Sequence, residues 1–319
     1  MDAIPFDAAR PRRAVLDAWN DVKAGLDFVA HNLPRAHRVL SRVNPYPRPW
    51  RAVRLPGAEG ASLAAVYGPG RPGAGALLIL PGTFQTKDDT SRKRRAIGLW
   101  RRFGLHVLVL DQRGFGGSFD APPTGGWLEA ADAHLAADWL RHESGAPRVT
   151  LWGESLGGAV ALLAAARPGA EARFERVVAW SPFADLADAT AAADPRSPRG
   201  RTLLGRTYRW LLRERTHGEA QDFGAFLALR AHALGLPLEE LVRLGSPLAH
   251  VRDLRVPALV LHAEDDPVVP VAHARKLADA RAPRLDVQIV PRGRHLDFDR
   301  EAPQWYARLT QALLASPTA

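Results

Sequence analysis

The sequence predicts an α/β protein: a mostly parallel, twisted sheet of about eight strands, helices on both faces, and a helical cap. Three observations carry that expectation. Short apolar runs recur at Gly75–Leu80, His106–Leu110, Val149–Trp152, Val177–Trp180 and Pro257–His262, as in strands covered on both faces. Helical periodicity falls between most of them, and that alternation sets neighbouring strands parallel. From about residue 186 to 246 no apolar strand run occurs, so a helical insertion is expected there.

Taken in order, Val15, Leu16, Trp19, Val22, Leu26 and Val29 recur at helical spacing, which predicts an amphipathic helix between Arg13 and Val29. The proline-rich stretch Asn44–Trp50 follows it, because proline cannot continue a helix. Arg51–Leu55 and Ser62–Tyr67 read as strands of a hairpin turned through Pro56–Gly60. A charged helix is expected over Thr90–Arg102, with Arg92, Lys93, Arg94 and Arg95 as its solvent-facing side. Residues 127–142 form another helix, with Leu128, Ala131, Leu135 and Trp139 on its apolar stripe.

Within the insertion, helices are expected near 201–215, 220–235 and 237–244, bounded by Pro195, Pro198 and Pro237. The first sets Arg201, Arg206, Arg209, Arg213 and Arg215 beside Leu203, Leu204, Leu211 and Leu212, a solvated basic face over core leucines. Alternation resumes with a helix at Val271–Ala280, a strand at Leu285–Val290 and a helix at Pro303–Leu314. Four segments result: a helical extension (1–50), the first part of the core (51–185), a cap (186–246) and the second part of the core (247–319).

Composition narrows the function classes. With 319 residues and 46 % hydrophobic content the chain can bury a large core. There is no cysteine, which excludes disulfides, thiolate nucleophiles and cysteine-based zinc sites. The net charge is +9, and 39 of the 43 basic residues are arginine. Those arginines are scattered, with no tract of interleaved aromatics, so a nucleic-acid partner is not expected. No apolar run approaches the length of about 18 residues that spans a bilayer, and no integral membrane segment is expected. The N-terminal MDAIPFDAARPRR lacks the apolar core of a secretion signal, which makes cytoplasm the expected compartment. Neither a phosphate-binding loop nor a metal motif appears, so no cofactor and no metal are expected.

The chemistry points to one stretch, residues 148–164. The apolar run Val149–Trp152 meets Gly153-Glu154-Ser155-Leu156-Gly157, and a small-residue helical pattern follows. A serine between strand and helix in so tight a turn is driven toward positive φ, and glycines on either side give the room for it. The helix that follows begins with unpaired N–H groups, and that of Leu156 can face a developing oxyanion.

Four segments resemble the α/β-hydrolase superfamily, in its capped serine-hydrolase, esterase/lipase-like branch: Leu80–Phe84, Asp111–Ser118, Gly153–Gly157, and Leu261–Pro270 with a later histidine. By order of elements the likeness covers about residues 51–319. It implies a Ser–Asp–His order, with Ser155 as nucleophile and His295, past the last strand, as base. His262 competes for that role, but it precedes the acid at a strand end and reads as structural. Matching Val268-Val269-Pro270 to the family pattern makes Asp266 the acid that orients the imidazole, with Asp265 as the alternative. The second oxyanion donor is the N–H of Thr83, or else of Phe84; Pro81 stands where the family commonly has histidine. Relatives of this fold that process halides or epoxides use aspartate at the elbow, where this chain has Ser155. The implied activity is hydrolysis of a small-molecule carboxylic ester through an acyl-enzyme. Acyl transfer and thioester or peptide cleavage by the same residues are the enzymatic alternatives, and ligand binding without catalysis is the alternative of another kind. Oligomeric state is not legible from the sequence.

Overall fold

The computed structural model describes residues 45–192, 194–195, 201, 203–296 and 303–314. The helix expected between Arg13 and Val29 lies outside the described residues.

Eight strands form one open sheet: β1 (Arg51–Pro56), β2 (Ser62–Gly68), β3 (Ala76–Leu80), β4 (His106–Leu110), β5 (Val149–Glu154), β6 (Phe174–Trp180), β7 (Ala258–Ala263) and β8 (Leu285–Val290). Their order is β1-β2-β4-β3-β5-β6-β7-β8. The first two strands form the expected hairpin, and β2 runs antiparallel to β4. From β4 to β8 every pairing is parallel. The carboxyl ends of β3 to β8 therefore share one edge. Going from β3 the chain steps to one side for β4, then crosses back to the other side for β5, so the order reverses around β3. In open α/β sheets a ligand crevice forms at the carboxyl edge of such a reversal.

The alternation of side chains shows why the strands read as continuous apolar runs. Leu78, Leu80, Leu108, Leu110 and Leu151 point into one core layer, with α2 (Trp127–Ser144) and α3 (Leu156–Ala166). Leu77, Ile79, Val107, Val109, Trp152 and Trp180 enter the opposite layer, with α1 (Thr90–Phe103) and Leu313 of the C-terminal helix α10 (Pro303–Leu314). Both faces are covered, so both parities of each strand must be apolar. The elbow helix α3 is buried from Leu156 to Ala165, as expected of a helix that is apolar all round.

Local chemistry ends the flanking helices. Asp89 caps α1 by accepting from the N–H groups of Ser91 (3.1 Å) and Arg92 (3.3 Å), and Gly104, at φ 69°, closes it. The start of α2 is held by the Glu129 carboxylate, which accepts from Thr124 N–H (2.8 Å), Thr124 Oγ1 (2.6 Å) and Gly126 N–H (3.0 Å). Two short helices, α4 (Ala170–Arg173) and α5 (Leu186–Ala192), were not expected from periodicity. Four or seven residues are too few for an apolar stripe to repeat.

The expected insertion helices are α6 (Leu203–Arg215), α7 (Phe223–Ala233) and α8 (Leu238–Leu244); α9 (Ala272–Asp279) then joins β7 to β8. Leu212 of α6 is buried while Arg206 and Arg213 are exposed. Trp210, at 48 % exposure, stays in solvent. One expectation fails on α1. Arg92 and Lys93 are buried at 1 % and 5 % exposure, and Arg94 alone of the four basic residues is exposed. For Arg92 the reason is electrostatic and belongs to the site below, while Lys93 sets its Nζ 4.6 Å from the centre of the Tyr46 ring. Among the described residues no helix is long and apolar enough to cross a membrane.

Candidate active site

Ser155 stands immediately after β5, at φ 53° and ψ −116°, a backbone region that L-residues rarely adopt. Its own N–H is tied to Trp180 O at 2.8 Å, which locks the turn to the end of β6. The flanking glycines are required by backbone proximity. A methyl group on Gly153 would lie 2.0 Å from Gly157 O, and one on Gly157 would lie 2.1 Å from Leu80 O. Leu156 is the first residue of α3, so its N–H has no acceptor within the helix.

The loop after β3 lies against Ser155. A methyl on Gly82 would be 3.0 Å from Ser155 Cβ. Gln85 N–H donates to Gly82 O at 3.2 Å, which closes a turn with Thr83 and Phe84 at its centre. Phe84 has φ 65°, the positive value that a type II turn needs at its third residue. Its ring packs edge-on against Phe115, with centroids 6.0 Å apart. Gly82 N–H is taken by Gln85 Oε1 at 3.1 Å. Thr83 is half-buried at the turn's second position, next to the residue that touches Ser155.

Asp266 and His295 meet. His295 Nδ1 is 2.7 Å from Asp266 Oδ2. The other carboxylate oxygen accepts from the N–H groups of Val268 (2.8 Å) and Val269 (2.9 Å). Burial alone would raise the pKa of this carboxyl. The hydrogen bond and charge of His295, with the Val269 N–H, outweigh burial and hold it below its ordinary value. An ionised carboxylate can only accept, so His295 Nδ1 carries the proton and, in the neutral ring, Nε2 is left as an acceptor. Asp265 is exposed, away from this pairing.

His262 lies behind Asp266, fully buried. Its Nε2 donates to Val269 O at 2.8 Å and lies 3.6 Å from Asp266 Oδ2. Burial pushes its pKa down, so the ring stays neutral and supports the turn after Asp266. Among the described residues no hydrogen bond joins Ser155 Oγ to His295. The segments carrying them nevertheless meet at one side chain. The Arg95 guanidinium lies 3.5 Å from Glu154 Oε1, one residue before Ser155, and donates to Leu296 O at 3.0 Å, one residue after His295.

That guanidinium belongs to a cluster missed by reading α1 as a wet helix. Arg92 Nε donates to Glu154 Oε2 at 3.0 Å, and Glu154 is fully buried. The signal was present in the sequence. A carboxylate ending a buried strand demands a cation, and Arg92, Arg95, Ala96 and Leu99 fall on one helical stripe.

The family described as "Serine aminopeptidase, S33" matches residues 75–300, well over half the chain. The chain belongs to this family of α/β hydrolases. Curated proteins match over part of the same stretch. A lysophosphatidylserine lipase, ABHD12, of Macaca fascicularis is 30 % identical over 197 residues, covering 59 % of this chain and 42 % of the relative. An uncharacterised protein of Mycobacterium tuberculosis is 36 % identical over 157 residues, 48 % of this chain and 53 % of that protein. These matches span about half the length of the curated relatives. Among solved structures, the Pyrococcus furiosus esterase Pf2001 superposes with a TM-score of 0.59 at 17 % identity, covering 86 % of this chain and 93 % of the esterase. A puromycin-hydrolysing peptidase of M. tuberculosis gives 0.57 at 21 % identity, covering 83 % and 39 %. Those structural likenesses bear on the fold of this S33 chain, an eight-stranded α/β-hydrolase sheet.

Proposed function

We propose that this α/β-hydrolase cleaves carboxylic esters, with Ser155 as nucleophile, His295 as general base and Asp266 as the acid that orients it. The observation that carries the reading is the 2.7 Å Asp266–His295 bond on the sheet edge where the strained Ser155 stands. A serine hydroxyl is a weak nucleophile until a base takes its proton. With Nδ1 committed to Asp266, His295 offers Nε2 for that proton. Ser155 Oγ attacks the carbonyl carbon, the carbonyl π pair moves onto oxygen, and the N–H groups of Leu156 and Thr83 hold the oxyanion. Collapse expels the alcohol, protonated by His295. Water, deprotonated by the same imidazole, then attacks the acyl-enzyme and releases the acid and free Ser155.

The helices of 186–246 act in this reading as a cap that shapes substrate entry. The activity of the ABHD12 relative, a lysophosphatidylserine lipase, favours an ester over an amide. The test is a panel of p-nitrophenyl acyl esters, acyl thioesters and aminoacyl anilides offered to wild-type protein and to Ser155→Ala. Ester turnover that Ser155→Ala lacks supports the reading. Preferential anilide cleavage would make the protein a peptidase, and ester turnover surviving in Ser155→Ala would refute the assigned nucleophile.

A further inference from the structure

We propose that Glu154, Arg92 and Arg95 form a positioning clasp that sets the spacing between oxyanion donor, nucleophile and base. This rests on the serine-hydrolase reading above and adds to it three residues that never touch substrate.

Three loops must be held in register for the reaction: Glu154 belongs to one of them, Arg92 joins its carboxylate to the loop after β3, and Arg95 pairs with it while holding the segment beside His295. Glu154 is fully buried and joined by one peptide bond to Ser155. Arg92, at 1 % exposure, donates from Nε and Nη2 to Glu154 Oε2. Its remaining donors hold the loop after β3: Nη1 donates to Thr86 O at 2.8 Å and Nη2 to Gln85 Oε1 at 2.5 Å. Gln85 Oε1 also accepts from Gly82 N–H, one residue before the proposed oxyanion donor. Arg95 repeats the arrangement on the other side. It faces Glu154 Oε1, donates to Leu296 O beside His295, and lies over the Trp180 ring with 4.9 Å to its centroid. Trp180 O in turn receives the Ser155 N–H.

Burying a carboxylate and two guanidiniums is costly unless all are paired, and apolar side chains could fill the same space under α1. What apolar packing cannot supply is directional bonding to the Glu154 carboxylate and to two loop carbonyls, those of Thr86 and Leu296. The planar, forked guanidinium can, because its donors point outward in fixed directions. Misplacing a reacting group by about 1 Å can cost on the order of 100-fold in rate, so a clasp of this kind acts on kcat more than on binding.

The experiment uses the full-length chain and the best substrate from the ester panel. Arg95→Met keeps the apolar stem over Trp180 but removes the tether to Leu296, and Arg92 still neutralises Glu154. Expected are a kcat lower by about 10- to 100-fold, KM within about twofold of wild type, and slower labelling of Ser155 by a fluorophosphonate in the same ratio. Arg95→Lys can reach Glu154 or Leu296 O but not both, and should recover only part of the loss. Gln85→Ala, a half-buried loop position, tests the other arm and should show the same kcat-selective loss with the fold intact by circular dichroism. Arg95→Met and Gln85→Ala proteins with kcat within about twofold of wild type would reduce the cluster to packing and overturn the proposal, whatever their melting temperatures. A wild-type protein that neither turns over the panel nor labels would refute the hydrolase reading itself, a distinct outcome.

Discussion

At the scale of single residues, the proposed chemistry is concentrated in backbone strain and one locked proton. Ser155 is held at φ 53° and ψ −116°, where a side chain costs roughly 1–3 kcal/mol. Ser155→Ala should therefore lose on the order of 10⁴–10⁶ in kcat while remaining as strained as wild type. Ser155→Gly should be equally inactive yet more stable than Ser155→Ala, because glycine adopts that conformation freely. Thermal melts of the two variants check this, and a Gly variant less stable than the Ala variant would deny that the turn is strained. Asp266→Asn removes the acceptor that fixes Nδ1–H and should cost on the order of 10³–10⁴ in kcat with little change in KM, read from steady-state kinetics.

At the scale of elements, the elbow works because three backbones cross within van der Waals contact. The end of β3, the end of β5 and the start of α3 all pass Gly153 and Gly157. Gly157→Ala places a methyl 2.1 Å from a carbonyl oxygen that cannot rotate away. The expected result is a loss of about 1–3 kcal/mol or more, visible as a lower chemical-denaturation midpoint, together with lost activity as Ser155 is displaced. A variant with wild-type midpoint would contradict the close crossing.

Elements were legible where their patterns were strong. β4 matches its apolar run His106–Leu110, and α10 matches Pro303–Leu314. β6 begins at Phe174, three residues earlier than its apolar run, because the half-buried Glu175 and Arg176 interrupt the pattern without interrupting the ladder. The elbow helix begins at Leu156, since the backbone turns helical directly after the strained serine. Of the site residues, Asp266 and His295 were named from order and motif, and their bond follows from the loops after β7 and β8 sharing one edge. The Arg92–Glu154–Arg95 cluster was not read. Helical charge looks like a solvated face unless it is weighed against the carboxylate that ends the buried β5 run, and only the fold shows that α1 lies across from that carboxylate.

At the scale of the whole molecule, stability is coupled to pH through histidines buried without charge. Burial is the main cause lowering the pKa of His134, His262 and His273. His134 Nε2 donates to Ala164 O at 2.9 Å, and His273 Nδ1 accepts from Ala184 N–H at 3.2 Å, so both are held as neutral rings. A group whose folded pKa is depressed leaves the unfolded chain binding more protons over the intervening range. The stability it contributes is present above the unfolded value, about 6.5, and is lost as pH falls below it. Asp266 follows the same sign in a lower window, below about pH 4. The melting temperature should fall between about pH 6.5 and 5, and His134→Gln should flatten that slope. A melting temperature constant from pH 7.5 to about 5, across the imidazole range, would contradict it.

The fold brings residues 155, 266 and 295, far apart in sequence, to one edge of one sheet, and the account stands on their acting together. Peptide mapping by mass spectrometry after fluorophosphonate treatment asks this most directly. The account predicts a phosphonyl adduct on Ser155 in wild-type protein, and its loss in His295→Ala at equal fold content. An adduct on another serine, or undiminished labelling of Ser155 without His295, would contradict it.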